Sequence, residues 1–251
     1  MKKVGFIGYG TIGKQIVKQV QEEGNYSIEF VVIGDDKEKD GQELPYVKEI
    51  TSDLFEKVDL VVEVAHADII EKYGEEILSS ADLLAFSTTA FSNEELYQRI
   101  LESSKKYRTK VYIPHGAILG LDGLFDGRMV IDSVTITTTK SPKSLGRQDA
   151  ERTVVYEGST KEICKLYPRN VNVHAAIAMA GLGFDKTKSV LISDPSVSTN
   201  AHVILIKGQG IEFELKITSI SLGGVTGAYT PISAFGSLQR AASNQKDFIF
   251  V

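Results

Sequence analysis

The sequence predicts an α/β protein in which an N-terminal doubly wound parallel sheet is followed by a mixed α/β (α+β) unit. Three observations carry that expectation. Over residues 1–114, short apolar strands alternate with amphipathic helices. A glycine-rich turn joins the first strand to the first helix. Beyond Pro114 the strand pattern changes to strict alternation, as in a sheet with one covered face.

In chain order, Lys3 to Ile7 reads as a strand, and Ile12, Ile16, Val17 and Val20 then recur at helical spacing. Ile28–Ile33, Leu60–Val64, Leu83–Phe86 and Val111–Ile113 are near-continuous apolar strands, the pattern of a sheet covered on both faces. Helices are expected at Asp68–Leu78 and Asn93–Tyr107, the second opened by Ser92 with Glu94 and Glu95 in its first turn. In the later half, Val134 and Ile136 alternate with Thr135 and Thr137. His202–Lys207 and Ile211–Ile217 flank Gly208-Gln209-Gly210 as a hairpin, with Phe213, Leu215 and Ile217 on one face. The polar stretch from Lys140 to Arg152 reads as a mobile surface loop, and 231–242 as a closing helix. The expected domains are 1–114, completed by the C-terminal helix 231–251, and 115–230.

Composition narrows the function. Hydrophobic content of 42% with 24% charged residues is that of a globular protein with a real core. A net charge of -5 argues against nucleic-acid and membrane-surface partners, which recruit basic faces. The single cysteine, Cys164, permits no intramolecular disulfide and has no Cys or His at ligand spacing, so no metal site is expected. MKKVGFIGYG enters a strand without a signal-peptide pattern, and no apolar run is long enough to span a bilayer. A cytoplasmic protein acting on a small molecule is the expectation.

Gly8-Tyr9-Gly10-Thr11-Ile12-Gly13 fits G-x-G-x-x-G. The pattern is weak alone, but here it follows a strand and opens a helix, the context of a dinucleotide site. Gly8 permits the tight turn, Gly10 lets the backbone approach a pyrophosphate, and Gly13 allows close helix–strand packing. The amides and dipole of the helix start favour phosphate. A Rossmann-type domain is therefore expected. Asp35, 22 residues beyond Gly13, stands where a carboxylate would bind the adenosine ribose. Asp35 and Asp36 would repel a 2′-phosphate, which favours NAD over NADP, although Lys37 and Lys39 lie close by. A solvated turn is the plain alternative for the two aspartates.

Four histidines exist: His66, His115, His174 and His202. His66 and His115 follow strand ends, where a doubly wound sheet places its ligand crevice. They are candidates for proton transfer near the nicotinamide, and equally for polar wall residues.

The segments YPRNVNVHAAIAMAGLG (Tyr167–Gly183) and SVLISDPSVSTNAHVILIKGQG (Ser189–Gly210) resemble the L-aspartate dehydrogenase family. Agreement continues in PHGAILGLDG (Pro114–Gly123), VTITTTKSPKSL (Val134–Leu145) and, more loosely, TPISAFGSLQRAA (Thr230–Ala242). The resemblance implies a Rossmann domain joined to a mixed α/β catalytic domain, in a homodimer. It implies oxidative deamination of L-aspartate with NAD or NADP, linked to NAD biosynthesis through iminoaspartate. It places the catalytic histidine of N-x-H-x-I at His202 and cofactor contacts at the Ala117 backbone and at Asn172. The sequence is compatible: His202 shares a strand face with Ile204 and Ile206, and a hydrogen-bonded wall histidine is the alternative there. Read without the resemblance, Asn170 or Asn172 is a helix N-cap.

The chain departs from the family at His115, usually serine, at His174, usually alanine, and at His66, usually small or hydroxylic. Thr230-Pro231 replaces the usual Asn-Pro. These changes keep two other readings open: a related dehydrogenase for another amino acid or a semialdehyde, and a non-catalytic NAD-binding sensor. Lys140, Lys143 and Arg169 are candidates for holding substrate carboxylates, or else solvated surface charges.

Overall fold

A computed structural model describes residues 1–34, 43–220 and 227–242. The chain divides into two units, Met1–Pro114 with Pro231–Val251, and His115–Thr230.

The first unit contains β1 (Lys2–Ile7), α1 (Thr11–Glu23), β2 (Tyr26–Val32), β3 (Tyr46–Val47), α2 (Ser52–Phe55), β4 (Leu60–Glu63), α3 (Ala67–Leu78), β5 (Asp82–Ala85), α4 (Glu94–Tyr107) and β6 (Val111–Tyr112). Its six strands run parallel in the order β3-β2-β1-β4-β5-β6. This is the doubly wound arrangement that the alternating pattern predicts. All four residues of β4 are buried, because helices cover both faces of the sheet. α1 buries Ile16, Val17 and Val20 of the predicted apolar stripe together with Gly13, while Ile12 is partly buried.

One boundary differs from expectation. Asn93, not Ser92, caps α4: its Oδ1 accepts from the backbone N–H of Glu95 at 3.1 Å and of Leu96 at 3.3 Å. The Ser92 hydroxyl turns back to donate to the Thr89 carbonyl at 2.8 Å. A 3₁₀ turn over Thr88–Ser92 precedes the helix and engages that hydroxyl first.

The second unit contains α5 (Leu121–Gly127), β7 (Ile131–Lys140), β8 (Thr153–Ser159), α6 (Thr160–Leu166), α7 (Asn172–Ala180), β9 (Lys188–Ser193), β10 (Ala201–Gly208) and β11 (Ile211–Thr218). The sheet order is β11-β10-β7-β9-β8, antiparallel except for the β7–β9 pair. The predicted hairpin is present, with Gly208 paired to Ile211 and His202 to Ile217. Along β7 the buried positions are Ile131, Val134, Ile136, Thr138 and Lys140. One face therefore changes from apolar to polar along the strand.

Two sequence readings fail in this unit. The stretch from Lys140 is not simply a surface loop: Lys140 ends β7 and is only 9% exposed. Pro142–Leu145 then forms a 3₁₀ turn, and the Arg147 guanidinium donates twice to the Asp149 carboxylate, at 2.6 and 2.8 Å. Neither Asn170 nor Asn172 caps α7; Val171 holds that place, without a side-chain cap. Asn170 is instead engaged by Lys140, and Asn172 is the first helical residue.

The last helix, α8 (Tyr229–Ala241), buries Ala234, Leu238 and Ala241 in the same core as Val4, Phe6, Ile16, Val20 and Leu60. Residues distant in sequence thus complete the first unit.

Candidate active site

The glycine turn after β1 is shaped by contacts that only glycine permits. Gly8 has φ of +106°, and a Cβ there would stand 2.8 Å from the carbonyl carbon and oxygen of Val64. A Cβ on Gly13 would stand 2.5 Å from the Gly8 carbonyl oxygen. The turn is thereby pressed against both the next strand's end and its own helix. Gly10 is extended, with φ of -82° and ψ of -163°, and no side chain caps α1. No acidic residue occupies the first turn of α1, of which Thr11 and Ile12 are the first two residues. Amide donors, a positive dipole end and a first helical turn without carboxylates fit a pyrophosphate. Asp35, the expected ribose ligand, lies outside the described residues.

At the end of β4, the buried Glu63 carboxylate accepts from the Ala65 N–H at 2.8 Å, the Ser87 N–H at 2.9 Å and the Ser87 hydroxyl at 2.8 Å. Burial pushes its carboxyl up while these donors oppose the shift. The arrangement ties the ends of β4 and β5 together, a role that sequence reasoning missed. His66 stands just before α3 with Nδ1 3.4 Å from Asp68 Oδ2, and its side chain is 44% exposed. His115 Nε2 lies 3.7 Å from Asp122 Oδ1. Each of these two histidines thus leans on an aspartate of its own unit.

The polar end of the second sheet holds the other two histidines. His202 and Thr138 are register partners on β10 and β7, and the Thr138 hydroxyl is 2.8 Å from His202 Nδ1. The same hydroxyl is 2.7 Å from His174 Nε2, on α7. His174 Nδ1 is 2.9 Å from the Ser189 hydroxyl, which is 2.7 Å from the hydroxyl of Thr160. Thr160 in turn donates to the Thr187 carbonyl at 3.0 Å. His174, Thr138, Ser189, Thr160 and Thr187 are fully buried and His202 nearly so. His202 Nε2 makes no hydrogen bond among the described residues.

Two residues beyond Thr138, on the same face of β7, stands Lys140. Its ammonium has one partner among the described residues, Asn170 Oδ1 at 3.4 Å, and no carboxylate within ion-pair distance. Burial lowers its pKa to about 8. Burial, and then the charge of Lys140, lower His202 to about 4. Burial also takes His174 well below the ordinary histidine range, with His202 and Lys140 adding to it. Both rings are therefore neutral at physiological pH. Lys143 and Arg169, the other candidate carboxylate binders, are exposed. Ala117 lies in the turn before α5, and Asn172 heads the helix that carries His174. No cluster of metal-ligating residues occurs among the described residues.

A buried neutral imidazole with one bare nitrogen can accept a proton, and a buried ammonium without a counter-ion can hold a carboxylate. Known proteins place the chain in a family. Residues 123–241 match the C-terminal domain model of aspartate dehydrogenase, and residues 8–114 match the NAD-binding domain model of homoserine dehydrogenase. An L-aspartate dehydrogenase of Methanococcoides burtonii is 32% identical, over 96% of this chain and 97% of its own. One from Thermotoga maritima is 35% identical over 85% of this chain and 86% of its own. The crystal structure of aspartate dehydrogenase from Thermotoga maritima superposes with a TM-score of 0.79 at 32% identity, covering 100% of both chains.

With a dinucleotide-binding unit recognised in its own right and a second unit of matching fold, the chain is an NAD(P)-dependent oxidoreductase. It belongs to the L-aspartate dehydrogenase family.

Proposed function

We propose that this protein oxidises L-aspartate at its amine-bearing carbon with NAD, giving iminoaspartate, which water converts to oxaloacetate and ammonia. A supply of iminoaspartate to NAD biosynthesis is the physiological role that fits this product. The observation that carries the reading is the pairing of Lys140 with His202 on one face of the second sheet: an uncompensated buried cation beside a neutral base.

In this reading the turn of Gly8, Gly10, Thr11, Ile12 and Gly13 holds the pyrophosphate, and Ala117 and Asn172 make further cofactor contacts. Asp35, with Asp36 beside it in the sequence, favours NAD because carboxylates repel a 2′-phosphate. Held there, a nicotinamide would supply the acceptor for the hydride of the substrate Cα. Lys140 holds a substrate carboxylate, supported by the absence of a protein carboxylate on its ammonium among the described residues. His202 Nε2 accepts the proton that leaves the amine as the C=N bond forms. An anion on Lys140 also cancels part of the field that depresses His202, so substrate binding itself raises the basicity of the ring. The protein's share of the work is positioning, charge and exclusion of water.

The single cysteine is buried, and no described helix is long and apolar enough to cross a membrane; we place the enzyme in the cytoplasm. A panel of amino acids, each with NAD and with NADP, followed by reduced-cofactor absorbance, tests the assignment. L-aspartate with NAD is expected to give the highest kcat/KM, and L-asparagine and L-glutamate far lower values. Faster turnover of another amino acid or a semialdehyde would replace the substrate. Tight NADH binding with no turnover would replace the enzyme with a sensor.

A further inference from the structure

His202 can serve as a base only if its bare nitrogen is Nε2, because Nδ1 is occupied by Thr138. Which nitrogen carries the proton follows from a count of protons along the buried chain of hydrogen bonds. A carbonyl can only accept, so the Thr160 hydroxyl spends its one proton on the Thr187 oxygen. Thr160 Oγ1 must then accept from Ser189. Ser189, its proton spent, must accept from His174, which puts a proton on His174 Nδ1. A neutral His174 has a lone pair on Nε2, which accepts from the Thr138 hydroxyl. Thr138 has nothing left to donate and must accept from His202 Nδ1–H. The opposite polarity would set the lone pairs of Thr160 against those of the Thr187 carbonyl in a fully buried place, where an unmet donor or opposed acceptors are costly.

We infer that His174, Thr138, Ser189 and Thr160 form a tautomer relay that fixes the proton of His202 on Nδ1 and presents Nε2 bare. These four are positioning residues; none of them need touch substrate. The relay deepens the proposed function and rests on it for its purpose, although its polarity can be read without any turnover. The backbone carbonyl of Thr187 is its anchor. Its effect on the ring is of the kind a carboxylate has in a catalytic triad, achieved here with hydroxyls and a second imidazole.

The relay makes a specific demand: cutting it at a distance must flip His202. In Ser189→Ala, His174 loses the acceptor for Nδ1–H, so its proton moves to Nε2, Thr138 turns round, and His202 receives at Nδ1 and carries its proton on Nε2. Thr160→Val releases the Ser189 proton toward His174 and has the same outcome by a second route, should the first variant fold poorly. The four histidines make the imidazole nitrogens assignable by long-range proton–nitrogen NMR on the whole protein, with His174→Phe and His202→Ala as assignment controls.

The expected result is a protonated Nδ1 and bare Nε2 for His202 in the wild type, with the reverse in Ser189→Ala and Thr160→Val. The same two variants should lose on the order of 10²-fold in kcat with L-aspartate while NADH affinity stays within about twofold. A protonated Nε2 in the wild type, or a His202 tautomer unchanged in both variants, overturns the relay. If the tautomers behave as stated but His202→Ala turns over L-aspartate normally, the relay stands and the role assigned to His202 in the proposed reaction falls.

Discussion

Thr138 and His202 are direct cross-strand partners, and the threonine hydroxyl lies 2.8 Å from the histidine Nδ1. A residue held this way on two strands has little freedom to reorient, and its remaining nitrogen keeps a fixed aim. The consequence is kinetic. Replacing His202 by Ala or Gln should leave the NADH dissociation constant within about twofold and lower kcat by on the order of 10²–10⁴. Fluorescence titration and steady-state rates check the two halves separately. A fall in NADH affinity matching the fall in rate would make His202 a cofactor contact instead.

Lys140 has a double signature. Lys140→Met should raise KM for L-aspartate by roughly 10–100-fold, the worth of a hydrogen bond to a charged group, with a smaller effect on kcat. It should also stabilise the fold, because the buried ammonium costs energy. With a folded pKa of about 8 against the ordinary 10.5, the unfolded chain binds the extra proton between those values. Wild-type stability therefore gains relative to the variant as pH rises from 8 to 10.5, by about 3 kcal/mol. Urea unfolding of both proteins across that range measures it.

The buried histidines work in the opposite pH range. His202 falls from the ordinary 6.5 to about 4, so below pH 6.5 the unfolded state takes up a proton that the folded state refuses. The stability this supplies is complete above pH 6.5 and is lost as pH falls toward 4, about 3 kcal/mol for this ring. His174 adds to it in the same direction. His202→Gln should show a shallower loss of urea midpoint between pH 7 and pH 4.5 than the wild type.

At the glycine turn, Gly13→Ala would press a methyl group to 2.5 Å from the Gly8 carbonyl oxygen, a backbone atom that cannot swing aside. Gly8→Ala adds the strain of a φ of +106°. Each should lower stability by about 1–3 kcal/mol and weaken NADH binding severely, read by thermal melts with and without NADH.

Much of this molecule was legible in its residues. The parallel sheet followed from apolar runs buried on both faces, as at Leu60–Glu63, and the glycine turn from its place between strand and helix. The inward face of His202 followed from its period with Ile204 and Ile206. The segment from Thr153 to Leu166 showed no clear period, since β8 is half-exposed along most of its length and α6 is a single short helix. Lys140 was set in a surface loop because lysine suggests solvent, and Thr138 was passed over for the same reason. Extending the Val134–Ile136 alternation by two and four residues would have placed both on the covered face. His174 lies in a helix buried on nearly every side, where periodicity carries no signal and only the fold shows its partners.

The most direct test of the account uses L-aspartate deuterated at Cα, with NAD and the intact protein, and mass analysis of the NADH formed. The account predicts NADH carrying one deuterium, produced at a rate that collapses in His202→Ala. NADH without the label, or none formed from L-aspartate at all, would contradict it.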